Sequence, residues 1–421
     1  MPDWLYEVVN PWTTPAAIVA AIVVIAWVLR IRGRNLAVVA LSAAVAVAMW
    51  QAWKSGPPNG LLDLQIYTNS ARSWLNGGSL YEYHDPTFHL SATYPPIGPL
   101  LFSSLTPLTA DGREVLYTAV NLIALFGCAW FASGLALITP EKRFEWSAWA
   151  FAASTVTIPV WLTLRQGQIN IIIWLLVLAD LNALRQSRRY AGIAIGLATA
   201  MKLLPGLFIV WFAVTKRWKA TARSIVALGL ATAVGWLLAP SDSRSYWTDL
   251  LWHSDRVGAL NDARNNSALG VIARSFNPGL GRTALWLCIA VAILAVTFVR
   301  STKASKANDL LAVAAIVGCA TAAISPISWT HHLGFLLVAL AAFILQAKTH
   351  IAKVLCAVVW LFLVDPAGHG DEPFQSTIRA LLVICAVCFT PIRPAKTATG
   401  PSADQTETTS RTRDTNSMLP S

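Results

Sequence analysis

Runs of about 20 apolar residues recur along nearly the whole chain, and each run is long enough to cross a bilayer as a helix. Hydrophobic residues make up 55% of the 421 residues and charged residues only 13%, whereas a soluble domain carries roughly 25% charged residues. A segment inside a bilayer must satisfy its own backbone hydrogen bonds, which favours helices. The sequence therefore predicts an all-α polytopic membrane protein, with the lipid bilayer as its first partner.

The formal net charge of +11 would indicate a nucleic-acid partner in a soluble protein. Here most Lys and Arg residues lie in short loops between apolar runs, a distribution that sets the orientation of membrane proteins. We therefore predict no nucleic-acid partner, an N-terminus outside and a C-terminus in the cytoplasm. The six cysteines lie inside apolar runs without metal-ligand or disulfide spacing, which is typical of small core residues.

The apolar runs predict about eleven spans together with one helical hairpin. The predicted spans lie at about 15–31, 36–53, 114–138, 147–164, 169–184, 224–240, 282–299, 309–325, 333–347, 353–364 and 377–391. Residues 95–109 hold four prolines, so they are predicted to form a re-entrant or interfacial piece. Basic clusters flank residues 191–215 on both sides, which predicts two short helices meeting near Lys202 and Pro205.

These segments predict one integral membrane domain over residues 1–392. Its two long polar loops, 54–94 and 241–281, fall on the outer face under the predicted orientation. Residues 393–421 are rich in Thr, Ser, Pro and Arg without periodicity, which is typical of a disordered tail. The predicted orientation places that tail in the cytoplasm.

Asp63 is the first ionisable residue of the polar stretch 61–94, the first long polar interruption of the apolar sequence. Residues 61–76 have helical spacing and predict an amphipathic helix at the membrane interface, ended by the Asn-Gly-Gly that starts at Asn76. Asp63 is either a helix N-cap or a surface charge, or a general base whose pKa is raised beside Tyr67, Trp74 and Tyr94. Those aromatic residues also fit an interfacial belt.

Lys202 lies in the middle of an apolar stretch, where a charge is costly and indicates function. It is either structural, paired with a carbonyl or carboxylate, or a ligand for an anionic lipid phosphate. His331 and His332 are adjacent and lack further ligand spacing, which favours hydrogen bonding over metal binding. Gln168 and Asn170 suit a hydroxyl-rich ligand, because amides donate and accept, or they satisfy backbone groups at helix ends.

Further polar residues lie on the long predicted outer loops, and none has a single interpretation. They are free to contact substrate or only solvent: His84, Asp85, Arg256, Asp262, Arg264, Asn266 and Arg274. The sequence contains no phosphate-binding, hydrolase or dinucleotide-binding fingerprint in a plausible structural context.

Six motifs, each weak alone, occur in an order that resembles glycosyltransferase family 87. They are Asp63, Tyr94-Pro95-Pro96, Gly167-Gln168-Ile169-Asn170, Lys202-Leu203-Leu204-Pro205, Asn266-Ser267 and Ser325-Pro326-x-x-Trp329-x-His331-His332. The resemblance covers roughly residues 36–391. It implies a C-type glycosyltransferase (GT-C) fold in the plasma membrane, with the active site on the outer face. C-type enzymes usually place the key Asp after the first span, whereas here an apolar segment at 15–31 precedes it.

The resemblance also implies roles for individual residues. Asp63 would be the general base, and Lys202 with His331 or His332 would contact the donor phosphate. The sugar or acceptor would be bound by Gln168, Asn170, Tyr94 and Asn266. A glycosyl phosphate already has a good leaving group, so one base and a cationic partner suffice without paired carboxylates. We predict no cofactor and no metal ligand in the sequence, while a metal requirement is left open.

The resulting functional prediction is a membrane mannosyltransferase of cell-envelope biosynthesis. It would transfer mannose from polyprenyl-phosphate mannose to a glycolipid or lipoglycan hydroxyl, with inversion, to form an alpha-1,2 linkage. One alternative is another lipid-linked sugar donor, because the residues themselves do not read the stereochemistry of a sugar. A second alternative is a lipid or sugar transporter, which would be supported by inverted repeats. We find no internal repeat in the sequence.

Overall fold

The computed structural model describes residues 33–54, 61–364 and 372–394, together with Val19 and Val23. These residues form seventeen α-helices and four short 3₁₀ helices, without a β-strand in the described ranges. The α-helices are α1 Arg34–Lys54, α2 Leu62–Leu75, α3 Ile97–Leu101, α4 Ala110–Leu135, α5 Pro140–Thr155, α6 Ile158–Gln166, α7 Asn170–Arg185, α8 Ile193–Met201, α9 Gly206–Val214, α10 Trp218–Leu238, α11 Pro240–Thr248, α12 Ala268–Ser275, α13 Leu280–Lys306, α14 Leu310–Ile324, α15 Gly334–Gln346, α16 His350–Val364 and α17 Pro373–Phe389. The 3₁₀ helices are Phe102–Leu105, Leu250–Trp252, Ser254–Val257 and Thr330–His332.

The predicted all-α class is confirmed over these residues. Three described helices, α4, α10 and α13, are long and apolar enough to cross a membrane. Five shorter apolar helices accompany them: Arg34–Met49, Leu310–Ile324, Gly334–Gln346, His350–Val364 and Pro373–Phe389. The count of about eleven spans therefore stays a prediction. The predicted span at 15–31, apart from Val19 and Val23, and nearly all of the predicted tail at 393–421 lie outside the described residues.

The predicted span at 147–164 consists of two helices instead of one. Helices α5 and α6 meet at an angle of 74°, and together they are apolar enough for a fourth crossing. Pro159 lies in the first turn of α6, where proline is tolerated because it has no backbone N–H to donate into a preceding turn. The bend directs the end of α6 towards α2, and these two helices pack against each other.

Helix α14 lies at the centre of the bundle. Every residue from Leu310 to Ala323 is buried, and a helix that is apolar on all sides requires neighbours on all sides. It packs against α13, α15 and α17. The Asp309 carboxylate caps its start and pairs with Arg393 at 2.5 Å. Because α14 is fixed in this way, the polar segment that follows Ile324 has a defined position.

The predicted hairpin over 191–215 is confirmed as two nine-residue helices, α8 and α9. The chain breaks between them at residues 202–205, where Lys202 has an extended backbone. The Asp180 carboxylate of α7 accepts hydrogen bonds from the backbone N–H groups of Gly192 at 2.6 Å and Ile195 at 2.9 Å. These bonds satisfy otherwise orphaned donors at the start of α8. These hydrogen bonds fix the start of α8, so Lys202 at the hairpin tip has a defined position.

Two other predicted segments also have the expected form. The predicted amphipathic helix over 61–76 is α2, and Asn76 is its C-cap residue. The proline-rich piece over 95–109 forms only the five-residue α3 and one 3₁₀ helix, too short to span. Both segments pack together around Tyr67, Tyr94 and Phe102. They cover the end of the bundle at which Asp63 lies.

Candidate functional site

The site begins at the turn between α6 and α7, which is held tightly against the first turn of α2. Gly167 ends α6 with φ of +68°, a left-handed conformation that favours glycine. A Cβ atom at this position would lie 2.6 Å from the Leu64 Cβ and 3.0 Å from the Leu61 Cβ. Glycine is therefore required both by the backbone and by the close approach. The next residue, Gln168, is brought to Asp63.

Gln168 joins the carboxylate to the aromatic residues. Its Nε2 donates a hydrogen bond to the Asp63 Oδ2 at 2.6 Å, and its Oε1 accepts one from the Tyr94 hydroxyl. The Tyr94 ring stacks on Tyr67 with centroids 4.2 Å apart. Asp63 lies in the first turn of α2, and Leu61 is the N-cap residue. The N-cap interpretation of Asp63 is therefore wrong. Of the predicted aromatic neighbours, Tyr94 and Tyr67 are linked to Asp63 through Gln168. Trp74 instead packs against the cluster of Leu80, Leu100 and Ala239.

Asn170 holds the Lys202 ammonium by a hydrogen bond, as Gln168 holds the Asp63 carboxylate. The Lys202 ammonium donates to the Asn170 Oδ1 at 2.8 Å and lies 4.8 Å from the centre of the Tyr94 ring. The Asn170 Nδ2 donates to the backbone carbonyl of His331 at 2.9 Å. Lys202 is 8% exposed, and no ion pair to it is found in the described ranges. Burial lowers the pKa of Lys202 to about 7, against the charge of Asp63, which raises it. A further anionic partner would therefore stabilise the charged form of this ammonium.

Burial dominates the electrostatics of the Asp63 carboxyl. Burial raises the pKa of Asp63 from an ordinary value of 3.8 to about 6, against the hydrogen bond from Gln168 and the charge of Lys202, which both lower it. The residue is still partly exposed, so the carboxylate is both desolvated and accessible. A carboxylate with a pKa near the working pH is suited to accept a proton.

The two histidines lie in the short helix that follows α14. Their rings meet edge to face with centroids 4.7 Å apart, and the His332 Nδ1 accepts from the backbone N–H of Trp329 at 3.3 Å. His331 Nε2 is buried and makes no hydrogen bond within the part of the chain that is described. Burial lowers the pKa of both imidazoles and the charge of Lys202 lowers it further, so both rings are neutral at neutral pH.

A small cleft between α7, the hairpin, α14 and α15 brings together Asn170, Lys202 and His332. It is lined by Asn170, Ile173, Trp174, Lys202, Leu204, Pro205, Phe208, Thr321, His332 and Phe335. A few polar groups on otherwise apolar walls are typical of sites that bind an amphipathic ligand. Across the described ranges, no three His, Cys, Asp or Glu side chains come together to hold a metal ion.

Asn266 does not line the cleft. It packs against the segment that contains the two histidines. Its Nδ2 donates to the Ser328 carbonyl and to the Thr330 hydroxyl, each at 3.1 Å. Its Oδ1 accepts from the buried Arg379 of α17 at 2.9 Å. The predicted contact of Asn266 with sugar or acceptor stays a prediction, since the side chain supports segment 325–332 in this structure.

Arg256, for which the sequence left contact with substrate or with solvent open, connects the two long loops. Its guanidinium donates to the Ala92 and Thr93 carbonyls at 2.9 and 3.1 Å and to the Leu250 carbonyl at 2.9 Å. It thereby fixes the segment that ends in Tyr94. Arg379 was missed, although a charged residue inside a predicted span is a recognised signal.

The other loop residues satisfy local structure. The Asp85 carboxylate accepts from the backbone N–H groups of Thr87 and Phe88 at 3.0 and 2.7 Å. Asp262 pairs with Arg264 at 2.8 Å on the surface, and Arg274 donates to the backbone carbonyls of Asp262 and Asn265. These contacts shape the loops without reaching Asp63 or Lys202.

Comparison with known proteins defines the class to which this fold and site belong. Residues 92–326 match glycosyltransferase family 87. The polyprenol-phosphate-mannose-dependent alpha-(1-2)-phosphatidylinositol mannoside mannosyltransferase of Mycobacterium tuberculosis is 30% identical over 287 residues, which span 64% of this chain and 67% of that protein. The corresponding pentamannoside mannosyltransferase of Mycolicibacterium smegmatis is 31% identical over 296 residues, spanning 68% and 71%. No solved structure matches the chain.

The chain is therefore a membrane-bound glycosyltransferase. It belongs to glycosyltransferase family 87, and the family resemblance inferred from the six ordered motifs is confirmed. The match begins at Ala92 and ends at Pro326, so it includes Gln168, Asn170 and Lys202. Asp63 and the two histidines lie outside the matched range, and their connection to it rests on the contacts described above.

Proposed function

We propose that the protein transfers mannose from polyprenyl-phosphate mannose to a hydroxyl of a glycolipid or lipoglycan acceptor, forming an alpha-1,2 linkage with inversion. The observation that carries the proposal is that the turn between α6 and α7 contacts both charged residues. Gln168 holds Asp63 and Asn170 holds Lys202, only two residues apart. A proton acceptor and a cation are thus placed on either side of one short segment. The names of the two relatives support the donor, the linkage and the class of acceptor.

In the proposed reaction Asp63 is the general base. The acceptor hydroxyl attacks the anomeric carbon while its proton passes to the Asp63 carboxylate. The bond between the anomeric carbon and the phosphate oxygen breaks, and its electron pair leaves on polyprenyl phosphate. Lys202 stabilises the second negative charge that develops on that phosphate, and His331 Nε2 is available as a neutral hydrogen-bonding partner.

The sugar and the acceptor would be oriented by the amides around the base. Gln168, Asn170, Asn266 and Tyr94 are proposed as the residues that contact or position them. The whole of residues 1–392 would form one catalytic domain of the C-type glycosyltransferase fold, with about eleven spans as predicted from apolar run lengths. Its site would face the outside of the plasma membrane, as the distribution of Lys and Arg supports.

The direct test supplies radiolabelled polyprenyl-phosphate mannose to membranes with and without the protein. Label is expected in a phosphatidylinositol-mannoside-type lipid only when the protein is present, and alpha-1,2-specific mannosidase is expected to release it. Membranes that contain the Asp63→Asn variant serve as the matched control. Labelling from a different lipid-linked sugar, with none from the mannose donor, would contradict the proposed donor.

The pKa of Asp63 predicts the pH dependence of this reaction. Because the base must be unprotonated and its pKa is raised to about 6, kcat/KM is expected to fall as the pH is lowered through about 6. Because Lys202 must be charged and burial lowers its pKa to about 7, kcat/KM is also expected to fall as the pH rises above about 7. Transfer is measured from pH 5 to 8 with saturating acceptor. Thermal stability followed over the same range separates titration from unfolding. A flat profile between pH 5 and 7 would rule out Asp63 as the titrating base.

A further inference from the structure

A row of buried polar residues follows one face of α4, next to the helix that carries Asp63. Its members are between 1% and 7% exposed: Arg113, Glu114, Tyr117, Thr118 and Asn121. We call these five residues the α4 polar face. Helix α4 is otherwise apolar enough to cross a membrane, so burying this many polar groups is costly unless they have partners.

Helix α2 presents a matching polar row to the start of α4. Gln65, Asn69 and Arg72 are spaced by four and three residues, which places them on one helical face. The Gln65 Nε2 donates to the Glu114 Oε1 at 3.5 Å, and the Arg72 guanidinium donates to the Asn69 Oδ1 at 2.6 Å. Two amides, a carboxylate and two guanidiniums therefore meet between the two helices.

Among the described residues, the buried side chains of Arg113 and Glu114 form no ion pair, whereas the exposed Arg72 donates to Asn69 and to the Thr106 carbonyl. Arg113 is 6% exposed, and its Nε makes no hydrogen bond to any described residue. The charge of Arg72 repels that of Arg113, whereas Glu114 attracts it without forming an ion pair among the described residues. The charge of the exposed Asp111 also repels that of Glu114. A buried guanidinium beside a second one and beside a buried carboxylate is stabilised by a ligand that both accepts and donates hydrogen bonds.

The row lies next to the proposed base and on different elements from the donor-side cleft. Gln65 follows Asp63 by two residues on the same helix, and the phenol of Tyr117 lies within the electrostatic reach of the Asp63 carboxylate. Lys202, Asn170 and His332 line the cleft instead. Arg72, which is exposed, gives the row an opening to the surface. An acceptor entering there would direct a hydroxyl towards Asp63.

We propose that Gln65, Asn69 and Arg72 of α2, with the α4 polar face, bind the sugar headgroup of the lipid acceptor. Guanidinium groups would donate to hydroxyl or phosphate oxygens of the headgroup, and the Glu114 carboxylate would accept from its hydroxyls. This proposal rests on the proposed transferase function, and it assigns the acceptor to a place separate from the donor phosphate.

Two-substrate kinetics of Arg113→Gln test the assignment. The KM for a phosphatidylinositol mannoside acceptor is expected to rise roughly tenfold or more, as for the loss of a hydrogen bond to a charged group, while the KM for polyprenyl-phosphate mannose is unchanged. Arg113→Lys keeps the charge and is expected to restore part of the acceptor affinity. Arg244→Gln, at an exposed arginine of α11, is the matched control and is expected to change neither KM.

A neutral alkyl mannoside, tested beside the phosphatidylinositol mannoside, identifies the oxygen that Arg113 contacts. An increase in KM for both acceptors assigns Arg113 to a sugar hydroxyl, and an increase only for the phospholipid assigns it to the phosphate. An unchanged KM for both acceptors in Arg113→Gln overturns the proposal.

Direct binding separates a failure of this proposal from a failure of the proposed function. Purified wild-type protein in nanodiscs is titrated with phosphatidylinositol mannoside in the absence of donor, and so is Arg113→Gln. Binding that is lost in the variant supports the acceptor site even if no mannose transfer is found. Transfer by the wild type together with equal binding by both proteins overturns the site and leaves the transferase function standing.

Discussion

The Asp63→Asn variant is expected to lose transferase activity by a factor between about 10² and 10⁴, the usual contribution of a general base. Asparagine keeps the size of the side chain and still accepts a hydrogen bond from the Gln168 amide. It has no carboxylate to take the proton of the acceptor hydroxyl, so the loss falls on kcat. The measurement is single-turnover transfer from radiolabelled polyprenyl-phosphate mannose in purified or membrane-embedded protein.

The stability of the same variant provides the control. Burial raises the pKa of Asp63 to about 6 in the folded protein from an ordinary value of 3.8, so the folded state binds more protons between these two pH values. Stability contributed by this group therefore decreases as the pH rises from about 4 to about 6. Asp63→Asn removes the buried charge and is expected to unfold at the same or a higher temperature at neutral pH. Retained turnover in a stable variant would remove Asp63 from the role of base.

Much of the helical organisation could be predicted because it is encoded locally. Apolar run length marks α4, α10 and α13, and the basic clusters on both sides of residues 191–215 indicated a hairpin. The bend between α5 and α6 has a local cause in Pro159, yet its angle of 74° depends on how α6 packs against α2. Sequence patterns identify such breaks more readily than they give their geometry.

The candidate residues were recognisable individually because a charge or amide is costly within apolar sequence. Asp63 and Lys202 each stand out for this reason. Their partners were not predictable, since the contact between Asp63 and Gln168 joins positions 105 residues apart. Gln168 follows the left-handed turn at Gly167 and Asn170 begins α7, and each amide contacts one of the two charged groups. No local pattern specifies this pairing.

Two arginines that support the site differ in how well the sequence indicated their structural role. Arg379 lies inside the predicted span at 377–391, so its burial cost was visible in the sequence, and the structure pairs it with Asn266. Arg256 lies in a polar loop, where an arginine is unremarkable. Its hydrogen bonds to Ala92 and Thr93 join positions more than 160 residues apart. Only the tertiary fold reveals that it holds the segment leading to Tyr94.

Replacing Lys202 with methionine is expected to lower kcat/KM for the lipid-phosphate donor by about 10² to 10³, comparable to the loss of one preorganised group that stabilises developing charge. Methionine retains much of the apolar stem beside Tyr94 but removes the ammonium that Asn170 holds at 2.8 Å. Lys202→Arg preserves the charge and is expected to retain more activity, although a guanidinium fits the single Asn170 Oδ1 less well than an ammonium does. The measurement is donor-dependent transfer kinetics with saturating acceptor.

The matched control is Lys219→Ala, which removes an exposed lysine from the start of α10. It is expected to leave the kinetics unchanged because Lys219 does not line the cleft and an exposed surface charge contributes little. The acceptor KM distinguishes the two sides of the site. If Lys202 acts on the donor phosphate, Lys202→Met changes donor dependence and leaves the acceptor KM unaltered, the reverse of the pattern expected for Arg113→Gln. Unchanged donor dependence in a folded Lys202→Met protein would remove Lys202 from the donor site and leave the charge on the phosphate to be stabilised by another group.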